Sequence, residues 1–203
     1  MGFVDRLART SDRFADKYPF DVAAVRWQST ERQTLRFGAL AKLCYWQGES
    51  VLDAGCGFGD FFHYCRFHDL DINYLGIDVS QQMITQAKTA YPGGRFIVGN
   101  FMTATLPFQP DYVVCSGGLN VLSHNHDQFI EAAITRFWQL ATKGVAFNLL
   151  EKPKKKRGVK DLYYADRDTI TTFCRTLTNQ IEIRDTYLHG EDFSVLLKKP
   201  DSL

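Results

Sequence analysis

Apolar and polar positions change period near residue 50. Before it, residues 1–48 read as partly amphipathic helix: Thr30 with Gln33 matches a capping box, and Leu35, Ala39, Leu43 and Trp46 follow on one face. After it, short apolar runs alternate with helical stripes. Val51–Ala54 predicts a strand and Phe61–Phe67 a helix; Tyr74–Asp78 predicts a strand, and Ser80 caps a helix through Met83, Ile84, Ala87 and Tyr91 that Pro92-Gly93-Gly94 stops. Arg95–Val98 and Tyr112–Cys115 predict strands, Asp127 precedes a helix striped by Ile130, Ala133, Ile134 and Phe137, and Val145–Leu150 predicts another strand. Asp168 leads a further helix. Ile181–Tyr187 and Phe193–Lys198 are then separated only by 188–192, too short a link for a parallel crossover, so they predict an antiparallel hairpin. The chain therefore reads as α/β: a Rossmann-like, doubly wound, seven-stranded sheet, mostly parallel with an antiparallel C-terminal hairpin strand, behind an N-terminal helical cap. Residues 1–48 form the cap or lid and 49–203 one structural unit.

The loop Asp53-Ala54-Gly55-Cys56-Gly57-Phe58-Gly59 joins the first of these strands to its helix. Alternate glycines there allow backbone conformations barred to other residues and let a ligand approach the main chain. An acid before the loop and a second at Asp78, at the end of the next strand, suit a nucleoside with a ribose to hold. Dinucleotide loops read G-x-G-x-x-G and place a pyrophosphate on the helix N-terminus. Here the spacing is G-x-G-x-G, and Asp60 occupies the place of the third glycine. A carboxylate there repels a pyrophosphate, which disfavours a nicotinamide oxidoreductase and favours a ligand that carries an ammonium and no phosphate.

Val51-Leu52-Asp53-Ala54-Gly55-Cys56-Gly57-Phe58-Gly59 resembles the first motif of the class I S-adenosylmethionine-dependent methyltransferases, and the strand pattern extends that resemblance over about residues 49–199. The resemblance implies S-adenosylmethionine as cofactor, with S-adenosylhomocysteine as product. It implies that Gly55, Cys56, Gly57 and Gly59 form the cofactor loop, that Asp53 orients the methionine ammonium, and that Asp78 accepts from the ribose hydroxyls. Val79 and Met83 then lie beside the adenine, although Met83 fits the core equally. Asn100 stands where the family commonly has an Asp accepting from the adenine amino group, and Phe101 fits either the adenine face or the core. Ser116, in Cys115-Ser116-Gly117-Gly118, lines the methionine part. Arg36, in the pattern Trp27…Gln33…Arg36-Phe37 that looks like a lid helix, fits either the methionine carboxylate or a solvated surface charge.

Methyl transfer needs alignment and exclusion of water more than a signature base. The position after the fourth strand has no D/N-P-P-Y motif, against methylation of adenine or glutamine nitrogen, and there is no cysteine pair arranged for base C5 methylation. Candidate acceptor-side residues are His124, His126, Tyr163, Tyr164 and Glu31; a solvated loop and a core role are the competing readings. No Cys/His set predicts a metal site. Hydrophobic content of 45% and charged content of 23% are those of an ordinary soluble domain, and no apolar run spans a bilayer. Cys44, Cys56, Cys65, Cys115 and Cys174 include no C-x-x-C, and residues 1–20 contain no signal-peptide core, so a cytoplasmic protein with reduced thiols is expected. The formal net charge of +1 gives no global drive toward nucleic acid. Residues 152–160, Lys-Pro-Lys-Lys-Lys-Arg-Gly-Val-Lys, are the local exception. They suit RNA phosphates or a solvated charge run. A small-molecule methyl acceptor is the leading expectation; RNA, or a non-catalytic cofactor-binding module, is the alternative.

Overall fold

A computed structural model of the protein describes residues 2–21, 24, 29–43, 46–121, 125–153 and 162–200. Helices α1 (Phe3–Lys17) and α2 (Thr30–Leu40), followed by a 3-10 turn, precede β1 (Gln47–Ala54), α3 (Asp60–Phe67), β2 (Asp71–Asp78), α4 (Gln81–Ala90), β3 (Phe96–Val98) and β4 (Tyr112–Ser116). Then come α5 (His126–Leu140), β5 (Gly144–Leu150), α6 (Arg167–Arg175), β6 (Ile181–Arg184) and β7 (Asp192–Lys198). The seven strands lie in the order β3-β2-β1-β4-β5-β7-β6. β7 runs antiparallel to both β5 and β6, the second as the short connection between them requires. The order reverses between β1 and β4, so the crevice for a ligand opens beyond the carboxyl ends of those two strands.

The core follows from the period-two alternation of the strands. Leu52, Val113, Cys115, Val145, Phe147 and Val195 face α5 and α6 on one side. Val51, Tyr112, Val114, Ala146 and Leu196 face α2, α3 and α4 on the other. Cys65 and Cys174 are buried with the helices, Cys115 with the sheet and Cys56 in the loop, all as free thiols; Cys44 lies outside the described residues. No helix among the described residues is long and apolar enough to cross a membrane.

Several boundaries differ from the sequence reading. β1 begins at Gln47, inside the segment read as cap, because Gly48 at φ +91° makes a bulge that lets Gln47 pair with Asp71. The N-cap of α2 is Ser29, whose side chain accepts from Arg32 N at 3.2 Å, so Thr30 is the first helical residue and Gln33 is released from a capping box. Asp166 caps α6 by accepting from Thr169 N at 2.9 Å, two residues ahead of the expected leader Asp168. Asn125, in the left-handed region, precedes α5 in place of Asp127. β6 stops at Arg184 rather than Tyr187, because the Tyr187 hydroxyl turns back to Asp192 and Ser194.

α2 is fastened to the C-terminal hairpin by two arginines. Arg32 pairs with Glu191 at 2.5 Å, and Arg36, 2% exposed, donates from Nε to the fully buried Asp192 at 2.7 Å. Burial raises the Asp192 carboxyl, and Arg36 is the main opposing influence. Removing one partner of a buried pair leaves the other charge uncompensated, at a cost of about 3–5 kcal/mol. Arg36→Met is therefore expected to lower the urea midpoint by that equivalent, and adding Asp192→Asn to recover part of the loss.

Candidate active site

The glycine loop is built by the end of β2. Gly55 N and Cys56 N both donate to Ile77 O, at 2.8 and 3.1 Å, and Gly57 N donates to Asp78 Oδ2 at 3.0 Å. Gly55 has φ +79°, and a Cβ on it would lie 3.4 Å from Gly118 Cα, so the loops after β1 and β4 pack backbone to backbone. Gly59 serves differently. A Cβ there would stand 2.7 Å from the Phe96 ring, so it is needed for packing, and it is not among the residues lining the cavity.

That cavity opens over the sheet's switch point and holds about 1180 Å³ of empty space, counting the solvent at its mouth. Of the twelve residues expected to hold the cofactor, ten line it: Asp53, Gly55, Cys56 and Gly57 from the first loop, Asp78, Val79 and Met83 after β2, Asn100 and Phe101 after β3, and Ser116 after β4. The exceptions are Gly59 and Arg36. Arg36 is committed to Asp192 on the far side of α2, away from the methionine-carboxylate position that the resemblance implied and from the solvated alternative.

The charged groups lining the cavity among the described residues are all carboxylates. Asp78 accepts Gly57 N on one oxygen and Ser80 N, at 2.9 Å, on the other. Each oxygen keeps a second lone pair for a ribose hydroxyl. Asp53 is buried and accepts from Tyr74 Oη at 2.7 Å. Burial pushes its carboxyl up to about 7 against the opposing Tyr74 hydrogen bond, and Asp78 and Asp60 push it further in the same direction. Asp60, at the start of α3, accepts from Gln33 Nε2 at 3.0 Å and is likewise raised by burial. Asn100 Oδ1 accepts from Met102 N at 3.0 Å and retains one acceptor site.

Helices α1 and α2 cover this floor. Phe3, Leu7, Ser11 and Phe14 form a stripe at helical spacing on α1 that faces the cavity. Asp12 holds the helix there: its Oδ1 accepts from Ser80 Oγ at 2.6 Å and Gln82 N at 3.1 Å, at the N-terminus of α4. The sequence predicts helix here without singling out this stripe, and it cannot show the latch, because its partners lie about seventy residues away. Asn148 was also missed. It is fully buried in β5, accepts Gly117 N at 3.0 Å and donates to Ser116 Oγ at 3.2 Å, so it fixes the loop after β4. Its signal was an amide inside an otherwise apolar strand.

Of the expected acceptor-side residues that are described, His126, Tyr163, Tyr164 and Glu31, none lines this cavity. His126 is 6% exposed, stacks on Tyr163 at 4.0 Å and lies 2.9 Å from Leu119 O through Nε2; burial lowers its pKa. The Tyr163 hydroxyl donates to Asp127. Tyr164 and the exposed Glu31 are also absent from the described cavity lining. His124 and Trp27 lie outside the described residues, as does the basic run beyond Lys152 and Pro153.

A glycine-floored, carboxylate-lined cavity at the switch point of a 3-2-1-4-5-7-6 sheet suits an organic cation that carries a ribose. The known proteins agree. A family model described as "Methyltransferase domain" matches residues 51–144. A Mycobacterium tuberculosis protein described as "Putative methyltransferase Rv1506c" is 30% identical over 156 residues, 74% of this chain and 93% of its own. Magnesium protoporphyrin IX methyltransferase from Synechocystis PCC 6803, solved with S-adenosylmethionine, superposes with a TM-score of 0.67 at 15% identity over 98% of both chains. A TehB-like S-adenosylmethionine-dependent methyltransferase from Corynebacterium glutamicum superposes at 0.61 with 17% identity, over 95% of this chain and 99% of its own. The chain belongs to the class I S-adenosylmethionine-dependent methyltransferases. Its cavity fits the cofactor: the sulfonium and ammonium outnumber the single carboxylate of that molecule, and the wall is acidic.

Two outcomes follow. Asp12→Ala removes a cap-like acceptor worth about 1 kcal/mol, so hydrogen exchange in residues 3–17 should quicken and S-adenosylhomocysteine should bind about fivefold more weakly. For pH the sign comes from Asp53. A carboxyl raised from 3.8 to about 7 in the fold holds a proton that the unfolded chain has released, so this group lowers the stability of the ligand-free protein as pH rises between those values. A cationic ligand favours the ionised form; affinity for S-adenosylmethionine should climb toward pH 7. Calorimetry near pH 6 in buffers of different ionisation enthalpy should register proton release on binding.

Proposed function

We propose that the protein transfers the methyl group of S-adenosylmethionine to a small-molecule acceptor by in-line displacement. The observation that carries the reading is the cover: side chains of α1 and α2 line the cavity together with the cofactor loops. In this reading the N-terminal helices are the lid of a single catalytic unit.

Asp78 holds the ribose through its two free lone-pair sites, Asn100 receives the adenine amino group, and Val79, Met83 and Phe101 give the base an apolar bed. Asp53 takes the ammonium, which lets it ionise despite its burial. Ser116 and the backbone of Gly117 and Gly118, steadied by Asn148, line the methionine part. When bound, the cofactor supplies an electrophilic methyl on a sulfonium leaving group. The chain's part is to fix that methyl against the acceptor and to keep water out, which the phenylalanines of α1 and α2 do.

Calorimetric titration should give a 1:1 complex with S-adenosylmethionine. Asp78→Ala removes two hydrogen bonds to a charged acceptor, each worth about 1.5–3 kcal/mol, so binding should weaken by about a hundredfold or more. An unchanged affinity would sink the site. Screening with an S-adenosylhomocysteine readout should find small-molecule acceptors; transfer confined to RNA would overturn the acceptor reading.

A further inference from the structure

Gln33 stands out among the polar groups of the cavity. It is 6% exposed, lines the cavity, and directs its amide nitrogen to the Asp60 carboxylate at 3.0 Å. A carboxylate only accepts, so Gln33 must present nitrogen there, and its Oε1 is left over. That oxygen has no hydrogen-bond partner among the described residues. An acceptor without a protein partner, on a residue that lines the cavity, is available to a donor from the ligand.

Asp60 beside it is also uncommitted. Asp78 is tied to two backbone amides and Asp53 to Tyr74, whereas among the described residues the side-chain partner of Asp60 is Gln33 alone. Two neighbouring groups that only accept, with no cation lining the cavity among the described residues, suit a ligand rich in donors and poor in acceptors. An ammonium is such a ligand. The surrounding wall suits the rest of it: Phe3, Phe14, Phe37 and Phe129 present aromatic surface, which favours an apolar body and attracts a cation. The charge balance agrees, because the cofactor brings one net positive charge to three carboxylates.

We infer that the methyl acceptor is a small aliphatic amine on an apolar body, bound as its ammonium by Gln33 Oε1 and Asp60. The inference rests on the methyl transfer proposed above. In the step it implies, the ammonium gives one proton to the Asp60 carboxylate and becomes a free amine. The nitrogen lone pair then forms the bond to the methyl carbon as the carbon–sulfur bond breaks, and its electron pair stays on sulfur, leaving S-adenosylhomocysteine. The product is the N-methylated ammonium, with Asp60 protonated and ready to return its proton to water. Aliphatic nitrogen is basic enough to need only this deprotonation, so the missing D/N-P-P-Y motif does not stand against it.

The test begins with the affinity of the wild type, Asp60→Asn and Gln33→Leu for S-adenosylhomocysteine. A wild type that does not bind it overturns the cofactor assignment itself, separately from the present inference. Phenethylamine, octylamine, 4-ethylphenol and 3-phenylpropionate are then titrated into the saturated proteins, and turnover of the amines with S-adenosylmethionine is followed in parallel. We expect the two amines to bind at least about tenfold more tightly than 3-phenylpropionate. Both variants should lose that preference while holding the cofactor product within about threefold of wild type. Gln33→Leu leaves the Asp60 carboxylate itself in place at the start of α3, so it stands if Asp60→Asn misfolds. The inference is overturned if 3-phenylpropionate or 4-ethylphenol binds as tightly as the amines, or if neither amine binds. It is also overturned if either variant loses the cofactor product by more than tenfold, which would place the methionine ammonium at this pair.

Discussion

Three carboxylates drawn out of water around one cavity are the constraint that organises this protein. Ionising Asp53 in its buried position is unfavourable enough to bring its carboxyl to about 7, and the neighbouring Asp60 and Asp78 add to that cost. Stability alone gives no reason to keep such a group. An organic cation removes the cost, and the energy of burying the carboxylates then appears as affinity and as discrimination against anions. The fold supplies what this requires. Parallel strands β1, β2 and β4 end together at the switch point, so acids more than twenty residues apart in sequence, Asp53 and Asp78, converge beside one glycine loop.

The same constraint explains the covers. Carboxylates open to solvent would be screened by water and salt, and their raised proton affinity would vanish. α1 covers them with the stripe of Phe3, Leu7, Ser11 and Phe14, although Ala15 is its one buried residue. Its position therefore depends on Asp12, which sits at the α4 N-terminus where the backbone amides favour an anion. Ser80 joins that latch to the site: its hydroxyl donates to Asp12 while its amide donates to Asp78. The residue read in the sequence as an ordinary helix cap thus links α1 to a group that faces the cavity.

How much was legible depends on the range of the interaction. Alternation of period two, the glycine loop, Asp78 and the short hairpin connection are local patterns, and the seven-stranded sheet follows from them. Ten residues assigned through the resemblance line the cavity because the loops that carry them are set by the strand ends. Arg36 could not be placed in this way. Charge on an amphipathic helix looks solvated or ligand-directed until the segment opposite is known, and that segment, at Asp192, lies 156 residues away. His126 and Tyr163 drew attention for their chemistry, yet they satisfy each other by stacking, and Asp127 and Leu119 take their polar atoms. Gln33 was read as part of a capping box; moving the cap one residue, to Ser29, turned it from a helix terminus into a cavity wall.

That shift gives α2 its logic. In little more than one turn it carries Arg32 and Arg36 toward the β6–β7 hairpin and Gln33 and Phe37 toward the cavity. The hairpin is the antiparallel departure from an otherwise parallel sheet, and Glu191 and Asp192 stand where β7 begins. A buried ion pair is weak as a source of net stability, since desolvation consumes most of its attraction, but it is strict about geometry. A slide of α2 along its axis would strand Arg36 and Asp192 as unpaired buried charges. The pair therefore fixes the register of the helix, and with it the height at which the Gln33 amide meets Asp60. The chain's last strand sets, through one helix, the polar edge of a site built from its first four.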